Sequence, residues 1–212
     1  MAYDLEEQEQ LDEFRAWWNK NGKLVTRLVI VAALSYGGWQ AYQTWMNSKS
    51  TDASTAYQTL ISTPLSEVDS KKAEQISTDA QAIAADYSMT PYAGRAALFA
   101  ARALHEAKQS EAAEKQLRWA LTEAKEPAIK HMAAIEIAGL QIERNALDEA
   151  KKTLSTIDDK GFDGIKNALL GDILMASKQE KEAKEAYNKA LQGLDPEGKL
   201  FYLTQQKLDA LG

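Results

Sequence analysis

Two histidines, His105 and His131, are the side chains in this 212-residue sequence best suited to proton transfer or metal ligation. His105 is followed by Glu106, but neighbours on a helix point about 100° apart and do not converge on one ion or one substrate atom. His131 stands in a different segment, so neither histidine has a partner at ligand spacing. The chain has no cysteine, which excludes thiolate nucleophiles, zinc–thiolate sites and disulfides. It contains no Gly-x-Ser-x-Gly elbow, no His-Glu-x-x-His pair and no phosphate-cradling glycine loop. A net charge of −6 argues against a nucleic-acid surface, which needs clustered Lys and Arg. The expectation is a protein that is not an enzyme and takes no cofactor and no metal.

The elements that position the remaining side chains are helices. Ala, Gln, Glu, Lys and Leu dominate after residue 50, and these are strong helix formers. Helical segments are expected at 53–62, 69–87, 91–107, 110–123, 127–144, 147–157, 163–177, 180–193 and 197–210. Pro91, Pro127 and Pro196 fall at the boundaries, where proline is tolerated. No segment alternates as a strand does, so the fold class is all-α.

One stretch differs. No charged residue occurs between positions 28 and 48, and a helix over 24–46 would be about 34 Å long, against about 30 Å of hydrocarbon in a bilayer. Leu28, Val29, Ile30, Val31, Leu34, Trp39 and Trp45 are the expected anchor residues, with Trp39, Tyr42 and Trp45 forming an aromatic belt at one end. Arg27 snorkels at the other end. The alternatives are a long buried core helix and a cleaved signal peptide. Arg15, Lys20, Lys23 and Arg27 precede the stretch and Lys49 stands nearly alone after it, so the positive-inside rule places the N-terminus in the cytoplasm. Before the span, Leu11, Phe14, Trp17 and Trp18 share one stripe of a short amphipathic helix, expected to stop at Asn21 and Gly22. The expected organisation is a cytoplasmic tail over 1–23, a transmembrane helix over 24–46, and a domain over 47–212 on the far side, opening with the polar stretch SKSTDAST.

That domain repeats internally. With Ala101, Ala138 and Gly171 in register, Ala113, Ala150 and Ala183 follow twelve residues later, then Leu117, Leu154 and Tyr187, then Ala120, Ile157 and Ala190. The periods are 37 and 33 residues. Small residues on facing helices allow close approach, and the bulky residue packs onto the next repeat. The last copy, LLGDILMASKQEKEAKEAYNKALQGLDP, resembles a tetratricopeptide repeat, through Leu170, Gly171, Leu174, Ala183, Tyr187, Ala190, Asp195 and Pro196. Gln141 and Ile157 depart from that pattern in the middle copy. Stacked helix pairs form an α-solenoid with a concave surface lined by the first helix of each pair. The register puts Leu98, Arg102 and His105 there, with Ile135, Gly139 and Ile142, and with Ala168, Asp172 and Met175. These residues do not supply the lysines and asparagines needed to clamp an acidic tail. An apolar groove suits exposed hydrophobic segments or one helix of a partner.

The whole chain resembles the YfgM proteins of Gram-negative inner membranes, through WWNKNGK, GGWQAY, ASTAYQTL and DDKGFDGIKNALLGDIL. The resemblance implies a single-span anchor in the lipid bilayer of the cell inner membrane and a periplasmic tetratricopeptide-like domain. It also implies association with the SecYEG translocon and with the chaperone PpiD, in helping unfolded exported proteins. The functional expectation is an accessory chaperone or adaptor at the translocon. A non-chaperone scaffold for an envelope complex, or a regulatory anchor acting through the acidic tail DLEEQEQLDE, are the alternatives.

Overall fold

The computed structural model describes the backbone of residues 2–212 and the side chains of residues 7–212. The side chains of Asp4, Leu5 and Glu6, part of the acidic tail considered above, lie outside the described residues. Among the described residues there are nine α-helices and no strand. They are α1 (Ala2–Ile61), α2 (Ser70–Asp86), α3 (Pro91–Glu106), α4 (Ser110–Glu123), α5 (Pro127–Glu143), α6 (Leu147–Ser155), α7 (Asp163–Ala176), α8 (Glu180–Gly193) and α9 (Lys199–Asp209). Short 3₁₀ turns occupy Leu65–Glu67 and Lys160–Phe162. The chain divides into two compact units, Met1–Ser48 and Lys49–Gly212.

In the first unit the helix does not stop where the sequence suggests. Asn21 and Gly22 are helical, and Asn21 Nδ2 donates back to the Trp17 carbonyl at 3.2 Å instead of ending the turn. The Trp18 indole folds over Gly22, 3.1 Å from where a Cβ would sit. Phe14, Trp17 and Trp18 do share a face, with ring centroids 6.1–6.3 Å apart. The transmembrane helix expected over 24–46 meets the length requirement but not the apolarity requirement. Among the described residues no helix is long and apolar enough by mean hydropathy to cross a membrane. The reason is local. The strongly aliphatic run ends at Leu34, and Ser35, Tyr36, Gly37, Gly38, Gln40 and Gln43 follow, while Arg27 stands at its other edge.

The polar stretch SKSTDAST is not a linker either, because it lies within α1. Ala53 is fully buried, and Leu60 packs against Ile76 and Ile83 of α2 and against the alanine face of α3, at Ala96, Ala100 and Ala103. The expected helix at 53–62 is therefore the end of α1. Pro64 follows that end, with no amide hydrogen to carry the helix on.

Elsewhere the local signals act as expected. The Asp69 carboxylate accepts from the Lys72 amide at 2.8 Å and caps α2. Pro91 and Pro127 open α3 and α5. From α2 to α9 each helix packs on the next, and α3 also touches α5, as α5 touches α7. The pairs α3/α4, α5/α6 and α7/α8 are the three repeats, with α3, α5 and α7 forming one continuous face. All twelve register positions from Ala101 to Ala190 are buried. The third pair comes closest: a Cβ on Gly171 would lie 2.3 Å from Tyr187 Cε1, and one on Gly164 would lie 2.6 Å from the Gly193 carbonyl carbon.

One repeated feature has no sequence signature. Lys108, Asn145 and Lys178 have φ of 63°, 60° and 59°, at the same 37- and 33-residue spacing. Each follows the first helix of a pair. The next amide, of Gln109, Ala146 or Gln179, donates to the carbonyl of Leu104, Gln141 or Leu174 at 2.8–2.9 Å. This is a Schellman-type ending with a side chain where glycine is usual.

Candidate functional site

The face made by α3, α5 and α7 carries the residues expected to meet a partner, and the structure separates them into two sets. Leu98 and Ile135, 5% and 9% exposed, are core residues, as is Ala168. Leu98 packs with Leu117 and Ile137, and Ile135 with Leu154 and Ile173. They are closed to a partner, because the turn of helix that bears them is wedged between neighbouring helices on both sides. Ile142 and Met175 are half-buried, Ile142 against the Ile135 cluster. Arg102, His105 and Asp172 lie at the surface and form the polar ridge of the face.

That ridge is built of ion pairs reaching from one helix to another. Arg102 donates through Nε and Nη2 to Glu136 Oε1 at 2.8 and 2.5 Å, joining α3 to α5. His105 Nε2 lies 3.6 Å from Glu143. Asp172 accepts from the Tyr187 hydroxyl at 2.7 Å and from Lys207 at 2.7 and 2.8 Å, tying α7 to α8 and α9. Burial pushes the Glu136 carboxyl above the usual carboxylate range, against the hydrogen bond and charge of Arg102 and the charge of His105. Burial, then the Asp172 carboxylate, holds the Tyr187 phenol far above its ordinary value, so it acts as a donor only.

Between α3, α4 and α5 lies a cavity of about 240 Å³. Its floor is Leu65, Ala101, Ala113, Leu117 and Leu140, and its rim is Arg102, His105, Glu106, Glu136 and Glu143. Gly139 lines it without projecting into it, since a Cβ there would meet nothing within 4 Å. Arg102, His105 and Gly139 thus belong to one site. Asp172 and Met175 lie on α7, away from it. Glu136 and Glu143 have no signal in the repeat register, although Arg102 and Glu136 are opposite charges 34 residues apart, and Glu106 is marked in the sequence only as the neighbour of His105. His131 is elsewhere, its Nε2 3.5 Å from Asp158 and its ring packed on Phe162. Among the described residues no three His, Asp or Glu side chains are grouped to hold a metal ion.

The cavity has an apolar floor, a charged rim and no nucleophile, and it sits in a stack of helix pairs. Residues 15–212 match the family described as a tetratricopeptide repeat-like domain. The chain is 31% identical to a protein of Haemophilus influenzae over 91% of its own length and 92% of the relative's. It is 30% identical to one of Neisseria gonorrhoeae over the full length of both chains. A third relative, from Escherichia coli, is 25% identical over 97% of this chain and 96% of the relative. All three are named ancillary SecYEG translocon subunits. The chain belongs to the YfgM family. No solved structure matches it. The family is of a non-catalytic, repeat-built type.

Proposed function

We propose that this chain is a membrane-linked adaptor of the Sec translocon, acting through the α3–α5–α7 face of its repeat domain. The observation that carries the translocon reading is the end-to-end similarity to relatives bearing that name. Anchoring is supported by exposure, not by hydropathy. Leu28, Val29, Ile30, Val31 and Leu34 are all open, Leu34 at 72%, and they point around the whole circumference of the helix. Each aliphatic side chain left in water forgoes about 1.5–3 kcal/mol of burial, and a bilayer supplies that burial on every side at once. Trp39 and Trp45 are likewise exposed at the far end of the run. In this reading residues 1–23 are cytoplasmic, 24–46 lie in the inner membrane, and 47–212 stand in the periplasm, an orientation supported by the excess of Arg and Lys before the apolar run.

Tethering confines the repeat domain beside other membrane proteins and raises its effective concentration there, so a modest cavity suffices for capture. The partners are the SecYEG translocon, a PpiD-like chaperone and emerging unfolded chains. A second reading, a scaffold for one folded partner, is favoured by the same face. Two of its expected apolar contacts, Leu98 and Ile135, are internal, and the outer ridge is ion-paired. A fixed pattern of charges suits one folded surface better than varied unfolded segments.

Photoreactive residues placed at Arg102, Gly139 and Met175 of the full chain in inner membranes test both readings. Crosslinks to translocon subunits together with exported chains support the chaperone-like adaptor, and crosslinks to one folded partner support the scaffold. Crosslinks to neither at any of the three positions refute the use of this face. Release of the full chain by alkaline carbonate refutes the anchor.

A further inference from the structure

The first unit contains a feature that anchoring does not need. Between Trp18 and Arg27 the surface of α1 is hollowed into a trough of about 490 Å³, lined by Trp18, Asn19, Gly22, Lys23, Thr26 and Arg27. Gly22, the one position of the six with no side chain, is buried beneath the Trp18 indole, which can settle against the helix there because no Cβ stands in its way. The Trp18 indole leans over Gly22 and forms one wall, its Nε1 3.1 Å from where a Cβ would stand. Lys23 and Arg27, one helical turn apart, form the other wall.

The chemistry of the lining is one-sided. Trp18, Lys23, Thr26 and Arg27 present an indole N–H, an ammonium, a hydroxyl and a guanidinium, and Asn19 adds an amide. No Asp or Glu occurs between Glu13 and Asp52. Among the described residues no carboxylate pairs with Lys23 or Arg27, whereas Arg15, one turn before Trp18 and Asn19 on the same face, is paired to Asp12 at 3.1 Å. Lys20 adds a third cation one turn before Lys23. A cluster of unpaired donors beside an indole seated on the helix backbone is complementary to an oxyanion, and a guanidinium matches phosphate geometry in particular. The trough also adjoins the aliphatic run that begins at Leu28, so a ligand seated here has apolar surface immediately beside its anionic end.

We propose that this trough is a binding site for an anionic phospholipid, with the phosphate between the Trp18 indole and the Lys23 and Arg27 side chains and the acyl chains along the run from Leu28. This inference rests on the membrane-anchored reading of α1. A purely non-specific basic belt needs the charges but not the indole wall that Gly22 allows to seat against the helix, and that difference is what separates the two.

The test uses the full chain in nanodiscs and in native mass spectrometry. Nanodiscs of phosphatidylethanolamine alone are compared with nanodiscs containing one-fifth phosphatidylglycerol, and retained lipid is counted on the released protein. Wild-type protein is expected to retain phosphatidylglycerol in preference to phosphatidylethanolamine. Lys23→Gln/Arg27→Gln should lower that retention about 30-fold, at the usual worth of two interfacial charges. Gly22→Leu keeps every charge but drives the Trp18 indole off its seat into the trough, and should lower it at least fivefold. Arg15→Gln should leave it unchanged. Loss in the double variant with none in Gly22→Leu overturns the site in favour of a diffuse basic belt, and so does equal loss in Arg15→Gln. Absence of preference in wild type overturns it outright. Displacement of the lipid by inorganic phosphate at matched concentration overturns the lipid source in favour of free phosphate. If wild-type protein does not enter nanodiscs at all, the anchoring reading has failed, an outcome distinct from insertion without lipid preference.

Discussion

Gly171→Ala should be destabilising, although exchanging glycine for alanine within a helix ordinarily gains about 1 kcal/mol. The new Cβ would stand 2.3, 2.5 and 2.8 Å from three atoms of the Tyr187 ring. Ordinary carbon contact is about 3.5–4.0 Å, so the ring must retreat by about 1.2 Å or α7 and α8 must separate. Tyr187 is only 2% exposed, so the ring can move only by displacing its neighbours. Its hydroxyl is also fixed to Asp172 at 2.7 Å, and moving the ring weakens a hydrogen bond to a charged group worth about 1.5–3 kcal/mol. Overpacking itself costs about 1–3 kcal/mol. With the helical gain subtracted, a net loss of about 3 kcal/mol follows. For a protein of this size that is roughly 6–12 °C in Tm. Thermal unfolding of the full chain followed by circular dichroism measures it. In a Tyr187→Ala background the obstacle is gone, and Gly171→Ala should become neutral or stabilising by up to about 1 kcal/mol. A Gly171→Ala protein as stable as the parent, or an equal loss in both backgrounds, would refute the claim that glycine is required by the ring.

The other predictions concern the ridge and the turns. Because burial raises the Glu136 carboxyl above its unfolded value, the folded form takes up the proton first as pH falls. The stability of the parent relative to Glu136→Gln should therefore increase on acidification, from the raised folded pKa down to the unfolded value near about 4.3. Thermal melts of both proteins at pH 7 and pH 4.5 check the sign, and a relative decrease refutes it. Lys178→Gly should stabilise by about 0.5–1 kcal/mol in urea unfolding, because φ of 59° strains a side chain and not glycine. Asn145→Gly should gain less, since asparagine tolerates that region. Lys207→Ala should cost no more than about 1 kcal/mol overall, as the pair with Asp172 is partly exposed. Amide exchange should nevertheless speed up in α9 before it does in α7 or α8.

Much of the architecture was set by local chemistry and is legible without coordinates. Pro91 and Pro127 supply fixed φ where helices begin, so those ends fall where the sequence puts them. The small–small–bulky spacing from Ala101 to Ala190 is a packing rule repeated in register, and all twelve positions are buried. Sequence also points to Arg102, His105 and Gly139, three members of the cavity lining, because the repeat register carries each onto the same face.

Other features were decided only by tertiary structure, because they depend on what stands opposite a residue and not on its neighbours in the chain. Leu98 and Ile135 share the register of Arg102 and Gly139, yet helices on both sides close over them. The cavity acids Glu136 and Glu143 face Arg102 and His105 across a repeat, so no local window shows them. Asn21 and Gly22 have the composition of a helix stop, but Asn21 turns back to Trp17, Trp18 covers Gly22, and α1 runs on. The left-handed turns at Lys108, Asn145 and Lys178 carry ordinary side chains, and only the closing of each helix pair requires their conformation. Sequence periodicity assigns a residue to a face, but whether that face meets solvent, lipid or another helix is a long-range energy balance that the folded chain settles.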